Sequence, residues 1–91
     1  MIAQTKIESV KQYLYAEFPD FEIRDAEDVV SWKFRVVKNS ATFCDLKFER
    51  LFWTLFEDVK KVLKDLELSK VMKNNFKKTV IVTKEGQLKV F

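Results

Sequence analysis

The sequence contains no histidine and only one glycine, one proline and one cysteine, and these shortages exclude several kinds of site. Without histidine the chain has no Ser-His or Cys-His nucleophilic pair, and the common zinc and haem sites lose their usual ligand. With one glycine it cannot form the glycine-rich loops that bring backbone amides up to a phosphate. We therefore expect no enzymatic activity, no metal site and no bound cofactor.

The single cysteine, Cys44, cannot form a disulfide within the chain, which is typical of a reducing compartment. The first residues lack the positive head and apolar core of a signal peptide. No apolar run approaches the roughly 20 residues that a membrane helix needs. We therefore expect a cytoplasmic protein without membrane association.

The chain has 91 residues, of which 47% are hydrophobic and 34% are charged, so we expect a single folded domain over residues 1–91. The net charge is +3, but its distribution is uneven. Residues 68–91 carry six lysines and one acidic side chain, Glu85. A basic segment of this kind can contact nucleic acid or an acidic partner. The three arginines lie outside it, although arginine is the residue that binds phosphate in a bidentate manner.

A helix is predicted over about residues 5–18, ending before Pro19. Thr5 and Glu8 have the spacing of a capping box at its start. Its apolar side chains recur at helical spacing: Ile7, Val10, Leu14 and Phe18.

Alternation of apolar and polar residues predicts three strands after this helix. The first covers residues 21–24 and is followed by a polar connection at 25–28. The second covers residues 30–36 and leads into a turn at 38–40. Residues 42–48 fit a third strand, and we favour that interpretation because hairpin partners usually follow such turns. The same residues also fit the start of the next helix, so the helical alternative stays open.

One long helix is predicted from Arg50 to Leu66, with a broad apolar stripe. The stripe consists of Leu51, Phe52, Leu55, Phe56, Val59, Val62, Leu63 and Leu66. Ser69 is expected to cap a short helical turn, and Gly86 to occupy the turn of a hairpin over residues 79–91. The predicted fold class is α+β, with an antiparallel sheet packed on one face by two main helices, in the order α-β-β-β-α-(α)-β-β.

Three apolar side chains are predicted to contact a partner: Trp53, Ile81 and Phe91. Trp53 is expected at the side of the long helix, and tryptophan is enriched at interface hot spots. Alternatively, its ring covers the core. Ile81 and Phe91 are expected to share one face of the C-terminal hairpin, whose apolar edge can pair with another chain. These features favour a protein-binding or self-associating module, with a homodimer as the assembly.

The alternative function is nucleic-acid binding through the lysine-rich C-terminal third. Its candidate contacts are Lys70, Lys73, Lys77 and Lys78, with Lys33 and Arg35 as a second patch. The predicted solvent face of the sheet shows Arg24, Ser31, Lys33, Arg35, Phe43 and Lys47, with Glu22 and Asp45 among them. Basic side chains around an exposed aromatic ring are typical of single-strand binding. Opposite charges also pair across strands on an ordinary solvated sheet face.

Overall fold

The structure, a computed structural model, describes residues 3–29 and 31–91. In these ranges the chain forms four helices and five strands, and they occur in the predicted order. The elements are α1 (Gln4–Glu17), β1 (Glu22–Glu27), β2 (Trp32–Asn39), β3 (Thr42–Phe48), α2 (Phe52–Leu55), α3 (Val59–Asp65), α4 (Leu68–Lys73), β4 (Thr79–Val82) and β5 (Leu88–Val90). The predicted α+β class is confirmed, and residues 42–48 form a strand rather than the start of a helix.

The five described strands form one sheet in the order β1-β2-β3-β4-β5. All neighbouring pairs are antiparallel except β3 and β4, which are parallel. The parallel pair departs from the predicted antiparallel sheet, and the chain connectivity explains it. Residues 49–78, which include three helices, return the chain to the end of the sheet where β3 begins. Parallel neighbours need a long crossover of this kind, whereas a tight hairpin joins only antiparallel strands.

The helices pack on one face of the sheet and form a single core with it. Alternate strand side chains enter this core, among them Phe34, Val36, Cys44, Leu46, Phe48, Val80 and Val82. Phe48 lies at the centre of an aromatic cluster, with its ring centroid 5.0 Å from that of Phe52 and 4.6 Å from that of Trp53. The other strand side chains lie on the opposite side of the sheet, which we call the open face. The register assigns to it Glu22, Arg24, Ala26, Lys33, Arg35, Val37, Phe43, Asp45, Lys47, Thr79, Ile81, Lys89 and Phe91.

The long helix predicted from Arg50 to Leu66 is divided into α2 and α3. Phe56 between them is extended, with φ −118° and ψ 124°. The Asp58 carboxylate then caps α3 by accepting a hydrogen bond from the Lys61 backbone N–H at 3.1 Å. Because the apolar stripe is interrupted here, Leu51 and Leu55 are 50% and 60% exposed instead of buried.

Three local predictions need correction. Helix α1 begins at Gln4 without a side-chain cap, so Thr5 does not form the predicted capping box. Strand β1 continues to Glu27 through the residues predicted as a polar connection, because Asp25, Ala26 and Glu27 pair with Phe34, Lys33 and Trp32 of β2. Ser69 lies within α4 rather than at its cap. Val30, the predicted start of the second strand, lies outside the described residues.

Candidate functional site

Trp53 is buried, with 4% of its surface exposed, so the prediction that it lies on an accessible flank is wrong. Its indole Nε1 donates a hydrogen bond to Ser31 Oγ at 3.0 Å, which also buries Ser31 and removes that residue from the predicted solvent face. Helix α2 is a separate single turn, and its orientation brings Trp53 against Phe48. The Lys6 ammonium donates to the Trp53 carbonyl and ties α1 to α2.

Ile81 and Phe91 lie on the same face of the sheet, as the sequence predicts. The Thr79 N–H donates to the Phe91 carbonyl at 3.0 Å, and the Phe91 N–H donates to the Thr79 carbonyl at 2.8 Å. Ile81 is opposite Lys89 in the same ladder. Residues two apart on a strand share a face, so Ile81 and Phe91 are diagonal neighbours on the open face. Ile81 is half-buried, whereas Phe91 is 70% exposed.

The backbone of β5 presents unpaired groups at the edge of the sheet. In an antiparallel ladder, residues that exchange two hydrogen bonds alternate with residues that exchange none. Phe91 bonds to β4, and the next bonded pair is Ile81 with Lys89. The N–H and C=O groups of Leu88 and Val90 therefore point away from β4. Within residues 3–29 and 31–91, no strand pairs with this outer side of β5.

The two edges of the sheet differ in charge. Strand β1, at one edge, reads Glu-Ile-Arg-Asp-Ala-Glu, so four of its six side chains are charged. Strand β5, at the other edge, reads Leu-Lys-Val and is followed by Phe91. Charged side chains on an edge strand oppose pairing with another chain. The β1 edge is therefore protected by its charges, whereas a single lysine protects the β5 edge.

The open face brings cations of neighbouring strands together. Arg24 is directly opposite Arg35, and Lys33 is directly opposite Lys47. Each arginine has an acidic partner: Arg24 lies 3.0 Å from Glu22, and Arg35 forms a bidentate pair with Asp45. These hydrogen bonds, with the attraction of opposite charges, lower the pKa of Glu22 and raise the pKa of Arg35.

The two lysines lack such partners. Neither Lys33 nor Lys47 has a carboxylate oxygen within 4.0 Å in the described part of the chain. A shallow groove of about 350 Å³ lies on the open face. Its charged lining consists of these two lysines, of Arg24 and Arg35, and of Asp25 and Asp45.

The six residues predicted to contact nucleic acid do not form one surface. Lys33 and Arg35 lie on the open face, but Lys70 and Lys73 belong to α4 in the helical layer. Lys70 lies 3.6 Å from Glu67, and the Lys73 ammonium lies 5.2 Å from the centre of the Phe18 ring. The sequence prediction therefore grouped these lysines by their position in the chain, and the fold separates them.

Lys77 and Lys78, the remaining two predicted contacts, are exposed in the segment before β4. The Lys77 N–H donates to the Phe43 carbonyl at 2.7 Å, which brings this segment to the end of the open face. Lys47 was not among the six predicted contacts. The alternation over residues 42–48 is the signal that places it beside Lys33.

Among the described residues, no helix has both the length and the apolar character that a bilayer crossing requires. The same residues contain no group of three or more acidic or cysteine side chains suited to holding a metal ion. Comparison of the chain with protein-family models, with curated proteins and with solved structures found no match.

Proposed function

We propose that this chain is a protein-binding module that pairs through the outer edge of β5, and that the added strand comes from a second copy of the chain. This proposal is based on the difference in charge between the β1 edge, which has four charged side chains, and the β5 edge, which has one. The β5 edge combines outward-pointing backbone groups at Leu88 and Val90 with the exposed ring of Phe91. Strand addition at an exposed edge is a common mode of protein recognition. The free thiol of Cys44 is in keeping with a location in the cytoplasm.

The side chains of β5 favour one register for the homodimer. If Val90 lies opposite its counterpart, the two outward N–H groups and carbonyls at this position exchange hydrogen bonds. Lys89 of each copy then lies beside Phe91 of the other on the open face, where the ammonium can contact the ring. Moving the two-fold axis by one residue, from Val90 to Lys89, would instead place Lys89 opposite Lys89, and directly opposed like charges destabilise a sheet.

Symmetry makes a second copy a suitable partner. A two-fold interface uses the same patch on both chains, so each chain must present both members of every contact. The segment from Leu88 to Phe91 presents a cation, an aromatic ring and outward backbone groups. Ile81 lies next to this segment and extends its apolar surface across β4.

The test is the oligomeric state of two variants at Val90, measured by sedimentation velocity from low to high micromolar concentration. Val90→Pro removes the outward N–H and leaves the bonds of Lys89 and Phe91 to β4 in place, so we expect a monomer. Val90→Ala keeps the N–H, so we expect a dimer. Far-UV circular dichroism checks that both variants fold.

Two outcomes would contradict the proposal. A wild-type chain that stays monomeric at high micromolar concentration would exclude self-association. A folded Val90→Pro variant that dimerises as tightly as the wild type would exclude the β5 edge.

A further inference from the structure

We propose that the open face is a second and independent binding site, and that it takes single-stranded nucleic acid. The pairing of two β5 strands continues the sheet sideways and engages Lys89 and Phe91, but it leaves the open-face side chains of β1, β2 and β3 uncovered. This inference therefore does not rest on the dimer.

The charges of the open face identify the ligand as an anion. Five basic side chains and two acidic ones lie on this face: Arg24, Lys33, Arg35, Lys47, Lys89, Glu22 and Asp45. The two acidic side chains are engaged by the two arginines, and among the described residues none of these lysines has a carboxylate oxygen within 4.0 Å.

The placement of the lysines is unfavourable for the isolated sheet. Lys33 and Lys47 are directly opposite each other on neighbouring strands, where like charges destabilise the pairing. Arg24 and Arg35 are also directly opposite each other, on β1 and β2, and Arg35 lies two residues after Lys33 on β2. The hydrogen bond and the charge of Glu22 raise the pKa of Arg24, and the repulsion of Arg35 is a smaller effect in the opposite direction. An anion in the groove between these four side chains would relieve both repulsions.

Aromatic rings beside the cations favour nucleic acid over an acidic peptide. The Phe43 ring is half-buried on the open face, and the Arg35 guanidinium lies over it at 5.0 Å from the ring centre, so the guanidinium plane extends the stacking surface. In the monomer, Phe91 adds a more exposed ring near β5. Bases stack on such rings and on guanidinium planes, whereas the carboxylates of an acidic peptide gain nothing from them. Because bases within a duplex are already stacked on each other, the ligand is expected to be single-stranded.

The test is a fluorescence-anisotropy titration of a labelled oligothymidylate at several salt concentrations. For single strands, the logarithm of affinity falls with the logarithm of salt concentration by about 0.7 per neutralised phosphate. The double variant Lys33→Gln/Lys47→Gln removes two cations, so we expect weaker binding and a slope reduced by about 1.4. The matched control is Lys61→Gln/Lys64→Gln on α3, which changes the net charge equally and should keep most of the affinity and slope.

A second variant tests stacking separately from charge. Phe43→Leu keeps an apolar side chain but removes the ring. We expect binding to weaken about 5- to 150-fold at fixed salt, with the salt slope unchanged.

Four results would overturn the inference. The first is the absence of a complex at low salt. The second is an equal loss of binding in the Lys61→Gln/Lys64→Gln control, which would indicate attraction by net charge alone. The third is equally tight binding of a DNA duplex. The fourth is competition by polyglutamate as effective, per charge, as competition by the oligonucleotide, which would assign the face to an acidic protein. None of these results depends on whether β5 forms a dimer.

Discussion

Cys44 shows how the surroundings of one residue set its chemistry. The thiol is buried between β3 and β4, with its Sγ 3.6 Å from the carbonyl oxygens of Asp45 and Lys78. Burial, with a smaller effect of the Asp45 charge, raises the pKa of the thiol from 9.0 to about 11. Since the thiolate is the reactive form, Cys44 is chemically inert in the folded protein at neutral pH.

The raised pKa of Cys44 makes stability depend on alkaline pH. In the unfolded chain the thiol ionises near pH 9, whereas in the folded chain it stays protonated until about pH 11. Its contribution to stability is therefore fully present below pH 9 and is lost as the pH rises from 9 to 11. Two pKa units correspond to about 2–3 kcal/mol.

At neutral pH the wild type is expected to have a higher free energy of unfolding than Cys44→Ala. We expect this difference to become smaller by about 2–3 kcal/mol when the pH is raised to ~11. Urea unfolding of both proteins at each pH measures it. All other ionisable groups are common to the two proteins, so their effects cancel in the difference. If the difference in free energy of unfolding between the two proteins does not change with pH, the pKa of the Cys44 thiol is not raised by folding.

The first residues of α1 and α3 differ in their side-chain capping. Thr5 has the spacing of a cap but makes no capping hydrogen bond, whereas Asp58 caps α3 through the Lys61 N–H. We expect Asp58→Ala to lower the free energy of unfolding by about 1 kcal/mol. Thr5→Ala should change it by less than about 0.5 kcal/mol. Urea unfolding of both variants measures the difference, and an equal loss at Thr5 would indicate that the predicted capping box does form.

The sequence predicts most strands well and the middle helices less well, for a physical reason. Alternation over two residues is a local property, and it correctly indicates β2, β3 and the C-terminal hairpin. Gly86, expected at a positive φ in the hairpin turn, has φ +76°. Helical periodicity, however, continues across Phe56, so the pattern of apolar residues did not reveal the break there. The Asp58 cap marks the start of α3, but the apolar stripe gave the stronger signal.

In the candidate site, too, the features that depend on local alternation could be predicted, whereas those that depend on how elements pack or pair could not. The shared face of Ile81 and Phe91 follows from alternation along two paired strands, so it could be predicted from the sequence. The position of Trp53 depended on a continuous long helix and was therefore wrong. The opposition of Lys33 and Lys47 depends on the register between β2 and β3, which the sequence does not specify residue by residue.

The helices and the sheet share one hydrophobic core, so we expect the whole molecule to unfold in one transition. Phe48 is central to this core, and Phe48→Ala should cost about 3–5 kcal/mol, a large part of the roughly 5–14 kcal/mol expected for a chain of this size. The exposed Phe91 is the matched control, and at concentrations where the chain is monomeric Phe91→Ala should cost less than about 0.5 kcal/mol.

Tryptophan fluorescence and far-UV circular dichroism measured during urea unfolding test this expectation. Both signals should follow one transition, and that transition should move to lower urea in Phe48→Ala. Separate transitions for the two signals would show that the molecule does not unfold in a single cooperative step.

The parallel pairing of β3 and β4 determines the order in which the molecule can assemble during folding. Strands β1 to β3 are joined by short connections and can form a meander early, because little chain entropy is lost in closing short loops. Strand β4 can dock only after residues 49–78 have closed the crossover. Until then the backbone groups of Phe43, Asp45 and Glu49, which bond to residues 77–82 in the folded chain, have no neighbouring strand. During that interval the newly formed meander is most exposed to wrong pairing with other chains, and docking of the C-terminal hairpin ends the exposure.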